Sequence, residues 1–115
     1  MDKPESKRQL QVARELQRDL SEIIRGRGMA AFGGCLVTVS EVRVSPDLSI
    51  AKVYVSVFPS DKAADVMRRL EEEKRSLRGA LGREVASQLR IVPEINFYLD
   101  TTLDYAEHID ELLKK

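Results

Sequence analysis

The stretch that decides the fold is LVTVSEVRVSPDLSIAKVYVSVF, residues 36–58. It contains two runs, Leu36–Val44 and Ile50–Phe58, that are rich in Val, Ile and Thr. The branched side chains of these residues suit a pleated strand and lose rotamer freedom in a helix. Between the runs, Ser45-Pro46-Asp47-Leu48 offers the proline and the aspartate that favour a type I turn. The stretch therefore predicts a β-hairpin.

The alternation of apolar and polar residues indicates which face of the hairpin is buried. In the second run, the predicted core-facing set is Ala51, Val53, Val55 and Val57, and the opposite set is Ile50, Lys52, Tyr54 and Ser56. In the first run, Val37 and Val39 have odd numbers, whereas Val42 and Val44 have even ones. This change of parity predicts either a β-bulge near Ser40-Glu41 or a strand that is partly covered on both faces.

A first helix is predicted from Ser6 to Gly26, because apolar residues recur there at helical spacing. Ser6 is the predicted N-cap, and Gly26 or Gly28 is the predicted end. The glycine-containing stretch that follows, residues 26–34, is predicted to be a loop. It does not have the sequence of a phosphate-binding loop, since no Gly-Lys-Ser or Gly-Lys-Thr is present and a strand rather than a helix comes next.

A second helical region is predicted after the hairpin, capped by Ser60 or Asp61 and extending to about Leu89. Its apolar stripe is interrupted in the middle, and two glycines follow the interruption. The residues concerned are Glu73, Lys74, Gly79 and Gly82. Because each interior glycine costs a helix about 1 kcal/mol relative to alanine, a broken helix or two helices in tandem is the favoured interpretation. A single surface helix with isolated glycines is the alternative.

A third strand is predicted over Arg90–Asp100, with Ile95, Phe97 and Leu99 on one side. A helical crossover precedes it, so it can run parallel to the second strand of the hairpin. A short acidic helix is predicted from Thr102 to Lys115. The order α-β-β-α-α-β plus a terminal helix describes one α+β domain over residues 1–115, a three-stranded sheet with helices on one face.

The chain offers little of the chemistry that catalysis or metal binding requires. Its one cysteine, Cys35, excludes an internal disulfide and a cysteine-cluster metal site, and its one histidine is His108 on the acidic terminal segment. We therefore predict no enzymatic activity, no metal, no cofactor and no small-molecule substrate. The N-terminus lacks the apolar core of a signal peptide, and no apolar run approaches about 18 residues, so a cytoplasmic protein is expected.

The formal net charge is zero, so any electrostatic site must come from the distribution of charge. Residues 68–90 are rich in arginine, whose planar fork fits phosphate oxygens. The basic residues there are Arg68, Arg69, Lys74, Arg75, Arg78, Arg83 and Arg90, and the acidic ones are Glu71, Glu72, Glu73 and Glu84. The pattern fits an RNA-binding surface, but the ordinary explanation of such a pattern is a solvated helix with Glu–Arg pairs.

Three segments resemble the ribosome-binding factor A family, and together they extend over nearly the whole chain. They are RQLQVARELQRDLSEII near the N-terminus, VTVSEVRVSPDLSIAKVYVSVF in the hairpin and LRIVPEINFYLDTTLDYAEHIDELL near the C-terminus. The resemblance implies a type II KH-like fold without a Gly-x-x-Gly RNA-binding loop. It also marks one departure. The family often has an Ala-x-Gly element at a bend in the second helical region, where this chain has Glu73-Lys74-Arg75, so the bend must be weaker or arise otherwise.

The resemblance implies a non-enzymatic factor that binds the free small (30S) ribosomal subunit and its 16S rRNA during late maturation, supports processing of the rRNA ends and helps growth in the cold. A monomer is expected. The predicted RNA-binding residues are Arg8, Arg14, Arg75, Arg78, Arg83 and Arg90. The alternative function is a protein–protein interaction module that uses a sheet edge without binding RNA.

Overall fold

A computed structural model describes residues 5–85 and 92–100, so Arg90, His108 and the predicted helix over residues 102–115 lie outside the described part. The elements are α1 (Lys7–Arg27), a 3₁₀-helix (Met29–Phe32), β1 (Leu36–Val44), β2 (Ile50–Phe58), a 3₁₀ turn (Ser60–Lys62), α2 (Ala63–Val85) and β3 (Glu94–Leu99). This α+β arrangement with a three-stranded sheet confirms the predicted fold class.

The hairpin has the predicted strands, turn and bulge. β1 and β2 pair antiparallel, from Leu36 opposite Phe58 to Val44 opposite Ala51, and the register shifts between Val39 and Glu41. The bulge is therefore confirmed, and it explains why the apolar parity of β1 changes. The turn closes through a 2.9 Å hydrogen bond from the Leu48 N–H to the Ser45 carbonyl.

β3 lies parallel to β2, as the helical crossover predicts, and the strand order is β1-β2-β3. The face of the sheet that packs against the helices is lined by buried apolar side chains, most of them valines. The predicted core-facing set of β2 is confirmed, with Ala51, Val53 and Val55 completely buried and Val57 nearly so. Ile95 and Phe97 of β3 are buried on the same face, and Cys35 packs as a small apolar group.

α1 is capped and attached to the sheet by one glutamine. Ser6 is the N-cap, and its hydroxyl accepts from the Gln9 backbone N–H while Gln9 Oε1 accepts from the Ser6 N–H, which completes a capping box. The Gln9 amide nitrogen also donates to the Val44 carbonyl at 2.9 Å. This buried bond fixes the start of α1 against the end of β1 and satisfies an edge carbonyl.

α2 is one continuous helix, so the predicted break within residues 63–85 is wrong. Glu73 and Lys74 interrupt the apolar stripe because both are half-buried and find polar partners beside the core. Glu73 accepts from Arg27 of α1 at 3.2 Å, and Lys74 donates to Asn96 of β3 at 3.2 Å. Complete burial of Leu77, together with Leu70 and Leu81, holds the helix through its glycines.

The start of α2 also differs from the prediction. Ser60 and Asp61 fall in a 3₁₀ turn that precedes the helix, and no side-chain cap forms at this turn. The predicted loop over residues 26–34 contains the short 3₁₀-helix Met29–Phe32, which buries Phe32. None of the helices within residues 5–85 and 92–100 combines the length and the apolar character that a membrane span requires.

Candidate nucleic-acid interface

A stretch of basic residues lies in the second half of α2. Residues 74–83 contain four basic side chains and no acidic one. These side chains are Lys74, Arg75, Arg78 and Arg83. Arg83 lies in the last turn of α2, where the helix dipole favours a cation because it places partial negative charge at that end.

The first half of α2 is different, because its arginines are neutralised by nearby acids. Arg68 contacts Asp65 at 2.6 Å and Glu72 at 3.0 Å, and Arg69 contacts Asp65 at 3.0 Å. The hydrogen bond from Arg68, followed by that from Arg69, lowers the pKa of Asp65, and the Asp65 contact raises the pKa of Arg68. The carboxylates therefore occupy these guanidinium groups and reduce their availability for phosphate.

The arginines of the whole described chain divide in the same way. Six of them make ion pairs with acids: Arg18, Arg25, Arg27, Arg43, Arg68 and Arg69. The other five make no ion pair with any residue of 5–85 or 92–100, and they are Arg8, Arg14, Arg75, Arg78 and Arg83. These five are the predicted RNA-binding residues that the structure describes. All five are exposed.

Arg75 and Arg78 are the two predicted residues that the structure brings together. They line a shallow groove between α2 and the beginning of β3, together with Lys74, Glu94 and Ile95 among others. The two arginines are three positions apart, so they share one side of the helix. One Arg78 nitrogen donates to the Val92 carbonyl at 2.9 Å, which directs the guanidinium along the start of β3.

The remaining predicted residues lie elsewhere. Arg83 comes five residues after Arg78, which places it about 140° further around a continuous helix. Arg8 and Arg14 belong to α1, where their six-residue separation puts them about 120° apart around the helix. A bend in α2 would have helped to bring Arg75, Arg78 and Arg83 to one side. Because α2 is continuous, only Arg75 and Arg78 lie together.

Two features of this region were missed by the sequence interpretation. Lys74 was treated as an interruption of the apolar stripe, but its amine reaches Asn96 on the edge strand and also Glu71 at 3.5 Å. The rings of Tyr54 and Tyr98 lie 5.5 Å apart on the sheet face away from the helices. The alternation of β2 and β3 placed both tyrosines on that face, but it could not show that they are neighbours.

The arrangement of the described side chains also bears on metal binding. Within the described residues, no three His, Cys, Asp or Glu side chains are grouped so that they could hold a metal ion. The polar side chains that line the groove are cations and carboxylates, and its guanidinium groups can bind phosphate. The geometry therefore supports binding of phosphate groups by Arg75 and Arg78.

Comparison with known proteins decides the family. The model of the ribosome-binding factor A family matches residues 8–113. The chain belongs to this family. Two relatives named ribosome-binding factor A illustrate the match. The Cytophaga hutchinsonii protein is 38% identical over 96% of this chain and 84% of its own length. The Chlorobaculum tepidum protein is 43% identical over 86% of this chain and 82% of its own length.

Solved structures of ribosome-binding factor A agree with this assignment. The crystal structure of the factor from Thermus thermophilus superimposes with a TM-score of 0.66 at 31% identity, over 79% of this chain and 94% of that one. A homology model of the Thermus thermophilus factor, fitted into a cryo-electron-microscopy map of a complex with the 30S subunit, gives a TM-score of 0.62 at 33% identity, over 76% of this chain and 89% of that one. The resemblance to the family and its KH-like fold is thus confirmed.

Proposed function

We propose that this chain is a non-enzymatic assembly factor that binds the free small ribosomal subunit through 16S rRNA. It acts late in maturation of the subunit, when the rRNA ends are processed, and it works as a monomer in the cytoplasm. Membership of the ribosome-binding factor A family supports the choice of the ribosome as partner. The complex of the Thermus thermophilus factor with the 30S subunit supports the choice of the small subunit.

The observation that carries the RNA-binding part of the proposal is the division of the arginines. A solvated helix surface gains from pairing its arginines with acids, as Arg68 and Arg69 do with Asp65. Arg75 and Arg78 have no such partner among the described residues, although Glu71 and Glu72 line the same groove. Exposed guanidinium groups that no carboxylate occupies are suited to phosphate oxygens, which they can bind with two hydrogen bonds.

The predicted alternative, a protein–protein module that pairs through a sheet edge, has less support. The side chains of α1 already occupy part of the free edge of β1. Gln17 lies with its amide nitrogen 3.4 Å from the carbonyl oxygens of Val39 and Ser40, and Gln9 donates to Val44. An incoming strand would have to displace these glutamines, because a strand adds to a sheet through the same backbone groups.

The test is co-sedimentation of the purified protein with separated small and large ribosomal subunits over a range of salt concentrations. We expect the protein to sediment with small subunits and not with large ones. The logarithm of the association constant should fall linearly with the logarithm of salt concentration, by about 0.7 to 0.9 per phosphate contact. Binding to both subunits alike would contradict a specific small-subunit factor. Binding that is insensitive to salt would favour edge pairing over phosphate contact.

A further inference from the structure

The sheet face opposite the helices has an aromatic surface to which the proposed function assigns no role. Its exposed positions include Leu36, Phe58 and Tyr98, which are 53%, 67% and 42% exposed. None of the described helices covers it. Tyr54 and Tyr98 stand at the middle of this face, where they are register partners on β2 and β3.

The rings of the two tyrosines contact each other in a tilted arrangement, and Tyr98 is the more exposed of the two. Their centroids are 5.5 Å apart, and the planes are inclined by 30°. Because β3 is the edge strand of the described sheet, Tyr54 is a neighbour of Tyr98 on one side and no described strand lies on the other. An aromatic ring with an exposed face is the usual platform for a nucleic-acid base.

The tyrosine pair lies beside the groove between α2 and β3. Asn96 precedes Tyr98 by two residues on the same face of β3, which corresponds to about 7 Å along the strand. The Lys74 amine reaches around the edge of the sheet to Asn96 Oδ1 at 3.2 Å. Arg75 and Arg78 follow Lys74 on the same side of the groove. Cations for phosphate and a ring for a base therefore lie next to each other at one sheet edge.

We propose that Tyr98 stacks on an unpaired base of single-stranded RNA whose phosphates are held by Arg75 and Arg78. The inference deepens the proposed function, on which it rests, by naming the form of RNA that is recognised. A duplex hides the faces of its bases, so this arrangement selects a single strand. Glu71, Glu72 and Glu94 also line the groove and would repel phosphate, so the RNA backbone is expected to pass beside Arg75 and Arg78.

The absence of tryptophan makes the stacking directly observable. The chain has three tyrosines, and replacing Tyr105 with Phe leaves Tyr54 and Tyr98 as its fluorophores. The probe is an unstructured oligoadenylate of about ten nucleotides, within the site sizes typical of single-strand binders. The control probe is an RNA duplex with the same number of phosphates. In this Tyr105→Phe protein, the oligoadenylate should quench the tyrosine fluorescence at saturation and the duplex should not.

Two substitutions at one position separate stacking from other effects. Tyr98→Leu should weaken binding of labelled oligoadenylate about tenfold, as expected for loss of one stacked base, and Tyr98→Phe should bind within about twofold of wild type. Fluorescence anisotropy measures the affinity. Circular dichroism and urea unfolding check that each variant is folded. If Tyr98→Leu does not fold, the quenching in the Tyr105→Phe protein and the affinity of Tyr98→Phe decide the question.

The outcomes distinguish this inference from the proposed function. Unchanged affinity of Tyr98→Leu, or oligoadenylate that binds without quenching, would overturn the stacking site. If wild type co-sediments with small subunits and Tyr98→Leu does so equally well, only the stacking site is lost. Quenching by oligoadenylate with Tyr98-dependent affinity, in a protein that does not sediment with small subunits, would sustain the stacking site and refute the ribosomal role.

Discussion

Truncation of Val53 to alanine should reveal how much the central strand contributes to stability. Val53 is completely buried and lies between Val42 of β1 and Phe97 of β3. The substitution removes two methyl groups, which corresponds to about 1.6 kcal/mol at about 0.8 kcal/mol per buried carbon. A residual cavity of about 40 Å³ would add about 1 kcal/mol at about 24 cal/mol per Å³. The free energy of unfolding should therefore fall by about 1.6 to 2.6 kcal/mol.

Urea unfolding followed by circular dichroism measures this loss. With a denaturant dependence of about 1.5 kcal/mol per molar urea, the midpoint should fall by about 1.1 to 1.7 M. Thr38→Ala is the matched control, because threonine has the shape of valine and Thr38 is exposed on the opposite face. Thr38→Ala should lower the free energy of unfolding by no more than about 1 kcal/mol. Equal shifts for the two variants would refute the assignment of the buried face.

Two further predictions test the helix and the turn. Gly79→Ala should raise the free energy of unfolding by about 0.5 to 1 kcal/mol, because a Cβ there meets nothing within 4 Å in a continuous helix. A lower urea midpoint than that of wild type would indicate a bend at this residue. Hydrogen bonds from the Ser49 and Ser45 hydroxyls and the Ser49 N–H lower the pKa of Asp47 to about 2, below an unfolded value of about 3.9. The carboxylate thus stabilises the turn fully above about pH 4 and loses this effect as the pH falls toward about 2. The difference in urea midpoint between wild type and Asp47→Ala should therefore shrink over that range. A constant difference would contradict the reasoning.

The hairpin could be predicted from the sequence because strand periodicity is short and strict. Every side chain in a strand faces one of two sides, so the parity change after Val39 located the bulge to within a residue. The same rule identified the buried sets of β2 and β3. The turn followed from Pro46 and Asp47, whose preferred conformations are local. Local rules are reliable when one residue type fits only one geometry.

The continuity of α2 could not be predicted, because it depends on partners that are distant in the sequence. Glu73 and Lys74 occupy places where an apolar residue was expected, and their long side chains carry the charge to Arg27 and Asn96. A Cβ on Gly82 would lie 3.4 Å from a Val92 methyl group, an ordinary contact, so packing does not require the glycine that had suggested a break.

The candidate site was predicted in composition but not in arrangement. Charge counting selected arginines on α1 and α2, and it could not tell that Arg68 and Arg69 are engaged by Asp65 while Arg75 and Arg78 are not. Such pairing depends on rotamers and on which side of the helix each residue takes. The stacked tyrosines depend on the register of β2 against β3, which periodicity alone does not give.

The most direct test of the account is reversal of charge at Arg75, Arg78 and Arg83, each changed to Glu. The control triple variant reverses Arg18, Arg25 and Arg43, which have the same charge but already make ion pairs. Both proteins are compared with wild type in co-sedimentation with small ribosomal subunits, at low and at high salt, after circular dichroism and melting have shown that they are folded.

We expect the first variant to lose association with small subunits at low salt, where wild type binds, and the control to retain most of it. At high salt the three proteins should converge, because wild-type binding is itself weak when phosphate contacts are screened. Wild-type affinity of the Arg75, Arg78 and Arg83 variant at low salt would contradict the central claim and would leave α2 as a solvated helix.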